Sequence, residues 1–217
     1  MMTKEIILYI LLPICGYIIG SLSPAVFLSK RVANIDIREK GSKNAGSTNV
    51  YRVMGAKWGI INFAIDLCKG LIPTLIGLFV SRALGGVYDG WLGASIIAAS
   101  VLLGHAFPVF SHFKGGKCVA SMTGVMFVMY PVITVIVFAI AVILILITKL
   151  VSLASVSSFI LIPISVWIFG GILNIALPVQ IFTTCAALLI LYLHRENIRR
   201  LFKGEESKLD LHKKSEY

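Results

Sequence analysis

One apolar run, Val119–Thr148, is longer than a single comfortable membrane helix, and it carries Pro131 near its middle. About 20 apolar residues of helix cross a bilayer core, within a range of about 17–25. A proline inside a helix removes one hydrogen bond and clashes with the preceding turn. The run is therefore one tilted span or two shorter ones meeting at Tyr130-Pro131. Ile6–Leu28, Gly59–Val80, Trp91–Phe110, Val151–Gly170 and Ile175–Leu193 read as further spans. The 217 residues are 58% hydrophobic and 14% charged, whereas soluble domains are about a quarter charged. That excludes a disordered chain, a coiled coil and a typical cytosolic enzyme. The fold class is all-α, a polytopic membrane helical bundle.

Charge chooses between the two readings of the long run. With the N-terminus outside and the run split, the segments Ser29–Trp58, Ser111–Cys118, the Lys149 turn and His194–Tyr217 share one side. They hold 17 of the 20 basic residues. Without the split, Lys149 and the seven basic residues of the tail move to the other side. The positive-inside rule selects seven transmembrane helices with the C-terminus cytoplasmic. The net charge of +10 is then anchoring first and a nucleic-acid signal only second, and no nucleic acid is expected as a partner.

Residues 1–205 are expected as one integral membrane domain and 206–217 as a polar, frayed cytoplasmic tail. A cleavable signal ending near Ser23-Pro24-Ala25 is set aside, because cleavage would export the basic segment that follows. Cys15, Cys68, Cys118 and Cys185 show neither a CxxC pair nor a zinc spacing, so no disulfide and no metal are expected.

The basic loops have an unusual composition. Gly41-Ser42-Lys43-Asn44-Ala45-Gly46-Ser47-Thr48-Asn49 packs glycines with small hydroxyl and amide residues, and Arg52 follows. Glycines let backbone N–H groups converge on an anion, and Ser, Thr and Asn add donors. A helix starting after Ser47 would point its positive end at the same place. Arg52 could clamp a phosphate with its planar fork. The segment is not a nucleotide P-loop: Ser47 stands where a lysine is required and no strand precedes it. In Phe113-Lys114-Gly115-Gly116-Lys117, two cations flank a backbone free to approach a ligand. Plain membrane anchoring is the competing reading of the two lysines.

Asp66 and Lys69 are i, i+3 inside a span and share a face. They are either a neutralised structural pair or site-lining groups. His105 is read as a hydrogen-bonded interface residue before a catalyst. His194 and Asn197 form another i, i+3 pair at the end of the last span, while Arg199 and Arg200 read as anchors. Three loops distant in sequence thus meet on one membrane face. They bring Arg52, Lys117, Ser42, His194, Asn197 and backbone amides to a phosphate-binding site against a lipid-accessible bundle. No metal-ligand cluster, GxSxG elbow or His-x-x-x-x-Asp arrangement occurs.

Gly20-Ser21-Leu22-Ser23-Pro24, Gly41-Ser42-x-Asn44-x-Gly46-x-Thr48-Asn49-x-x-Arg52, Asp66-x-x-Lys69-Gly70, Gly104-His105-x-Phe107-Pro108, Phe113-Lys114-Gly115-Gly116-Lys117 and His194-x-x-Asn197-x-x-Arg200-Leu201 follow in that order. The chain to about Glu205 resembles the bacterial acyl-phosphate:glycerol-3-phosphate acyltransferases of the PlsY type. The resemblance implies seven helices in a bacterial cell membrane, with an active site on the cytoplasmic face. It implies transfer of a fatty acyl group from acyl phosphate to the 1-hydroxyl of glycerol 3-phosphate. Lysophosphatidic acid and phosphate would be the products, with no cofactor. It further implies that Ser42, Arg52, Lys117 and Asn197 contact phosphate and that His194 lies by the reacting groups. Asn44, Gly46, Thr48, Asn49, Lys114, Gly115 and Gly116 join the expected substrate-binding set, and Arg52, Lys117 and His194 the catalytic one. Lys43, Ala45 and Ser47 depart from the usual Gly, Pro and Ala, and Cys118 replaces a common glycine.

Acyl phosphate is already an activated mixed anhydride, so cations and amides suffice to hold two like-charged molecules together and stabilise developing charge. The hydroxyl proton goes to His194 as general base or to the leaving phosphate, which titrates near neutrality. The second is the expectation, with His194 hydrogen-bonding only. A transporter or flippase of an anionic phosphorylated lipid or solute is the alternative function. It is disfavoured because the polar groups gather on one face instead of along a midplane path.

Overall fold

A computed structural model describes residues 2–210, with side chains from Ile7 onward. It is all helical: α1 (Met2–Ser21), α2 (Pro24–Ala33), α3 (Ser47–Met54), α4 (Ala56–Ala83), α5 (Trp91–Ala106), α6 (Val119–Met129), α7 (Pro131–Thr148), α8 (Val151–Phe169), α9 (Leu177–Leu193) and α10 (Arg195–Phe202). Among the described residues, five segments are long and apolar enough to cross a membrane. They are Ile7–Ala33, Ala56–Ala83, Trp91–Ser111, Pro131–Thr148 and Val151–Phe169, and α9 with α10, bent by 61°, makes a sixth. The long apolar run does break at Tyr130, and Pro131 opens α7. Its first half, α6, has 11 residues and rises only about 16 Å at 1.5 Å per residue, short of a full crossing.

The first span is also interrupted. Pro24 cannot donate a backbone hydrogen bond, and the chain restarts there as α2. The Lys69 ammonium donates to the Leu22 carbonyl at this break at 2.8 Å, which gives the costly intramembrane cation a structural partner. Helix pairs meet through small residues. A Cβ on Gly70 of α4 would collide with the Ser121 carbonyl of α6, and one on Gly124 with the Leu67 carbonyl. Without a hydrophobic driving force between helices in lipid, such backbone-to-backbone packing is what holds spans together.

The basic loops gather at one end of the bundle. Arg38 pairs with Asp36 and donates to the Ser111 carbonyl at 3.0 Å, tying the first loop to the second. The Arg38 guanidinium also holds the Asp36 carboxyl far below the usual carboxylate range. Arg52 donates to the Ser207 carbonyl at 2.9 Å, and the Leu209 N–H to the Lys149 carbonyl at 2.7 Å. The segment after Gly204 is thus not frayed as expected up to residue 210. It returns as a strap over α10, with Glu206 and Leu209 buried. Its charged composition reads as solvated, but Glu206 finds partners that only the tertiary fold supplies.

Candidate active site

The loop before α3 is built around Asn49, which is buried. Its Oδ1 accepts from the Ser42 N–H at 2.8 Å, and its Nδ2 donates to the carbonyls of Ile37, Lys40 and Asn44. Gly41 has φ +56, and a Cβ there would strike the Asn49 amide. Loop closure by one asparagine therefore requires this glycine. Helix α3 begins at Ser47, as its sequence led us to expect, after an extended Gly46. Its first turn faces a cavity of about 570 Å³.

Ser42, Asn44, Gly46, Thr48, Asn49, Arg52, Lys117, His194 and Asn197 all line that cavity at its polar end, with Asp66 and His105. The opposite walls are apolar. Phe63 comes from α4, Met126 from α6, Val137 and Phe138 from α7, and Phe159 and Ile162 from α8. These wall residues escaped the reading of the sequence, although Ser152, Ser155, Phe159 and Ile162 recur at helical spacing. Lys114, Gly115, Gly116 and Lys69 lie off the cavity. Lys114 faces a shallow recess with Asp36, Arg38, Glu39 and His112. The two glycines serve packing: a Cβ on Gly115 or Gly116 would hit the end of α5 at His105, and the Gly116 N–H donates to the His105 carbonyl.

Lys117 precedes Cys118, the left-handed cap of α6 with φ +64. A glycine is at home in that conformation, which explains its frequency at this position in the resembling family. Cys118 is fully buried, and its Sγ–H donates to the Leu102 carbonyl at 3.2 Å. The Lys117 ammonium donates to Asn197 Oδ1. Asn197 Nδ2 in turn donates to Glu206 Oε1 at 2.7 Å, and Glu206 Oε2 accepts from Arg200 Nε at 2.7 Å. Burial, followed by the Arg200 charge, pushes Lys117 down to about 8. Arg200 and Glu206 therefore belong to the site, Arg200 despite its reading as an anchor.

His194 sits in the junction between α9 and α10 and is buried. Its Nδ1 contacts the Ile190 carbonyl at 2.8 Å. A carbonyl only accepts, so Nδ1 carries the proton and Nε2 of the neutral ring holds a lone pair. Burial depresses the ring to about 4, which leaves it neutral at pH 7. Behind this end runs a chain of buried polar groups. Asn62 donates to Ser47 Oγ at 2.8 Å and to Asp66 Oδ2 at 3.0 Å, and Asp66 Oδ1 lies 3.0 Å from Lys69 Nζ. His105 Nδ1 lies 3.5 Å from Asp66 Oδ1 and 3.1 Å from Ser121 Oγ. Asp66 and His105 are thus at once structural and cavity-lining. Among the described residues, no three His, Cys, Asp or Glu side chains gather as a metal site.

Residues 10–204 match the family model described as glycerol-3-phosphate acyltransferase. A glycerol-3-phosphate acyltransferase of Clostridioides difficile is 37% identical over 205 residues, covering 94% of this chain and 97% of that protein. One from Thermoanaerobacter is 39% identical over 200 residues, covering 92% and 95%. One from Legionella pneumophila is 36% identical over 202 residues, covering 93% and 69%. Two crystal structures of PlsY (YgiH), an integral membrane glycerol 3-phosphate acyltransferase, share the fold at 33% identity. The glycerol 3-phosphate form has a TM-score of 0.81 over 93% of this chain and 96% of that one. The lysophosphatidic acid form has 0.78 over 93% and 95%.

Proposed function

The chain belongs to the glycerol-3-phosphate acyltransferase family, and on that premise we propose how its cavity performs the transfer. It is an integral membrane enzyme that acylates glycerol 3-phosphate to lysophosphatidic acid. The observation that carries the mechanism is one cavity lined both by cationic side chains and by apolar ones. A phosphorylated headgroup and an acyl chain demand that pairing.

The donor is fatty acyl phosphate, its chain lying against Met126, Val137, Phe159 and Ile162. Arg52 and Lys117 hold the phosphates, with the amides before α3 and the hydroxyls of Ser42 and Thr48. Bringing two anions together against their repulsion is the main work of such a site. The 1-hydroxyl oxygen attacks the acyl carbon, and the bond from that carbon to the phosphate oxygen breaks. Inorganic phosphate leaves, and Lys117 and Arg52 offset the charge that develops. The hydroxyl proton passes through Nε2 of His194 to the departing phosphate. The Nδ1 bond leaves Nε2 an acceptor and so supports His194 as a proton relay over the expectation that it only donates a hydrogen bond, and a ring lowered to about 4 hands the proton on to the more basic phosphate.

Seven crossings follow if α1 with α2 counts once, α4, α5, α7, α8 and α9 once each, and the short α6 crosses by local thinning of the bilayer around it. The charge distribution supports an outside N-terminus and a cytoplasmic site and C-terminus. Residues 1–205 are then the integral domain, onto which 206–210 fold. Purified protein in liposomes, supplied with palmitoyl phosphate and radiolabelled glycerol 3-phosphate, should yield labelled lysophosphatidic acid. Absence of product with intact protein would refute acyl phosphate as donor.

A further inference from the structure

We propose that Glu206 is a positioning residue of this acyltransferase, holding Asn197 so that its oxygen faces Lys117. The inference rests on the function proposed above. A free asparagine amide can turn either end toward a lysine, and only the oxygen end binds an ammonium. The Glu206 carboxylate accepts only, so it draws the Nδ2 end of Asn197 to itself at 2.7 Å and leaves Oδ1 for Lys117. Its second oxygen is held by Arg200. The strap is fixed beyond it as well, by Arg52 on the Ser207 carbonyl and by Leu209 on the Lys149 carbonyl. Glu206 is 9% exposed. That is an unusual burial for a glutamate, and one that charged partners make tolerable.

The same carboxylate balances charge. Lys117 feels Arg52 from α3 and Arg195 and Arg200 from α10, all opposing its proton, and Glu206 from the strap, favouring it. Lys43, Asp66, His105, His194 and Glu196 line the cavity with them. Removing the Glu206 charge leaves Lys117 among cations and frees Asn197 to flip. Lys117 then meets the substrate misdirected and more readily neutral.

Glu206→Ala, Glu206→Gln and Glu205→Gln in the full chain test this, the last as an equal charge change on an exposed neighbour. Expected is a KM for glycerol 3-phosphate raised about tenfold or more in Glu206→Ala. Glu206→Gln should be intermediate, because its carbonyl still orients Asn197. In both, the high-pH fall of kcat/KM should move to lower pH, with Glu205→Gln like wild type. Wild-type KM and pH profile in both Glu206 variants would overturn the proposal. So would tighter glycerol 3-phosphate binding, which would make Glu206 an anion that substrate displaces. Protection of each variant against heat by glycerol 3-phosphate reads the same effect without turnover. Wild-type protein that binds but does not acylate would thus count against the donor assignment and leave Glu206 still decided by binding.

Discussion

The backbone N–H of Leu209 donates to the carbonyl of Lys149 at 2.7 Å. The turn between α7 and α8 and the strap after α10 therefore meet at one end of the bundle. Cysteines placed at Lys149 and Ser207, read against the wild-type background, should be labelled by an impermeant reagent from the same side of sealed vesicles. Labelling from opposite sides would break the topology, because α8, α9 and the strap could not then close on one another.

Arg52 should tolerate no substitute well. A charge-assisted hydrogen bond is worth about 1.5–3 kcal/mol net, so Arg52→Ala should lower kcat/KM by about 10- to 150-fold at least. Arg52→Lys should recover little, since an ammonium lacks the planar fork. Circular dichroism and thermal unfolding would show that the bundle survives. Near-wild-type turnover in Arg52→Ala would remove it from the phosphate site.

The pH profile has a definite shape. His194 lies near about 4 and Lys117 near about 8. A base works when deprotonated and a phosphate-holding lysine when protonated. Activity should therefore plateau between these values, and kcat/KM should fall as pH rises through about 8. The second ionisation of the substrate phosphate, near ~6, adds its own rise below neutrality. Lys117→Arg should extend the plateau upward. His194→Ala and His194→Asn should be similarly inactive if Nε2 takes the proton. Substantial activity in His194→Asn would return that proton to the leaving phosphate.

Cys118 should accept glycine and reject valine. Its φ of +64 costs a non-glycine residue energy, and a β-branched side chain suffers most there. Cys118→Val should lower stability by about 1–3 kcal/mol, seen as a lower Tm in detergent. Cys118→Gly should unfold close to wild type, because relief of the backbone offsets the lost packing.

Five of the spans, and a sixth with its bend, were legible because hydrophobic runs and proline report directly on what a bilayer tolerates, whereas α6, expected as a crossing, has only 11 residues. Even the break at Tyr130 and the start of α3 at Ser47 could be placed. Within the loops, the same residue types conceal different roles. Gly115 and Gly116 resemble a ligand-binding turn, yet they are required by contact with the end of α5. Asn49 reads as a substrate donor, but its amide holds the loop together. Glu206 gives no local signal at all, since its partners, Asn197 and Arg200, reach it only after α10 turns across the site.

The thin outer wall made by α7 has a kinetic consequence. Val137 and Phe138 line the cavity, while Val135, Ile136, Ile143 and Ile147 of the same helix are exposed at the periphery. On the function proposed above, one reactant arrives from water and the other sideways from the bilayer past this helix. For the second, molarity in the bulk is the wrong concentration scale. Its mole fraction among the surrounding lipids sets the rate, so adding inert lipid at fixed total donor should slow turnover by surface dilution, while adding water should not.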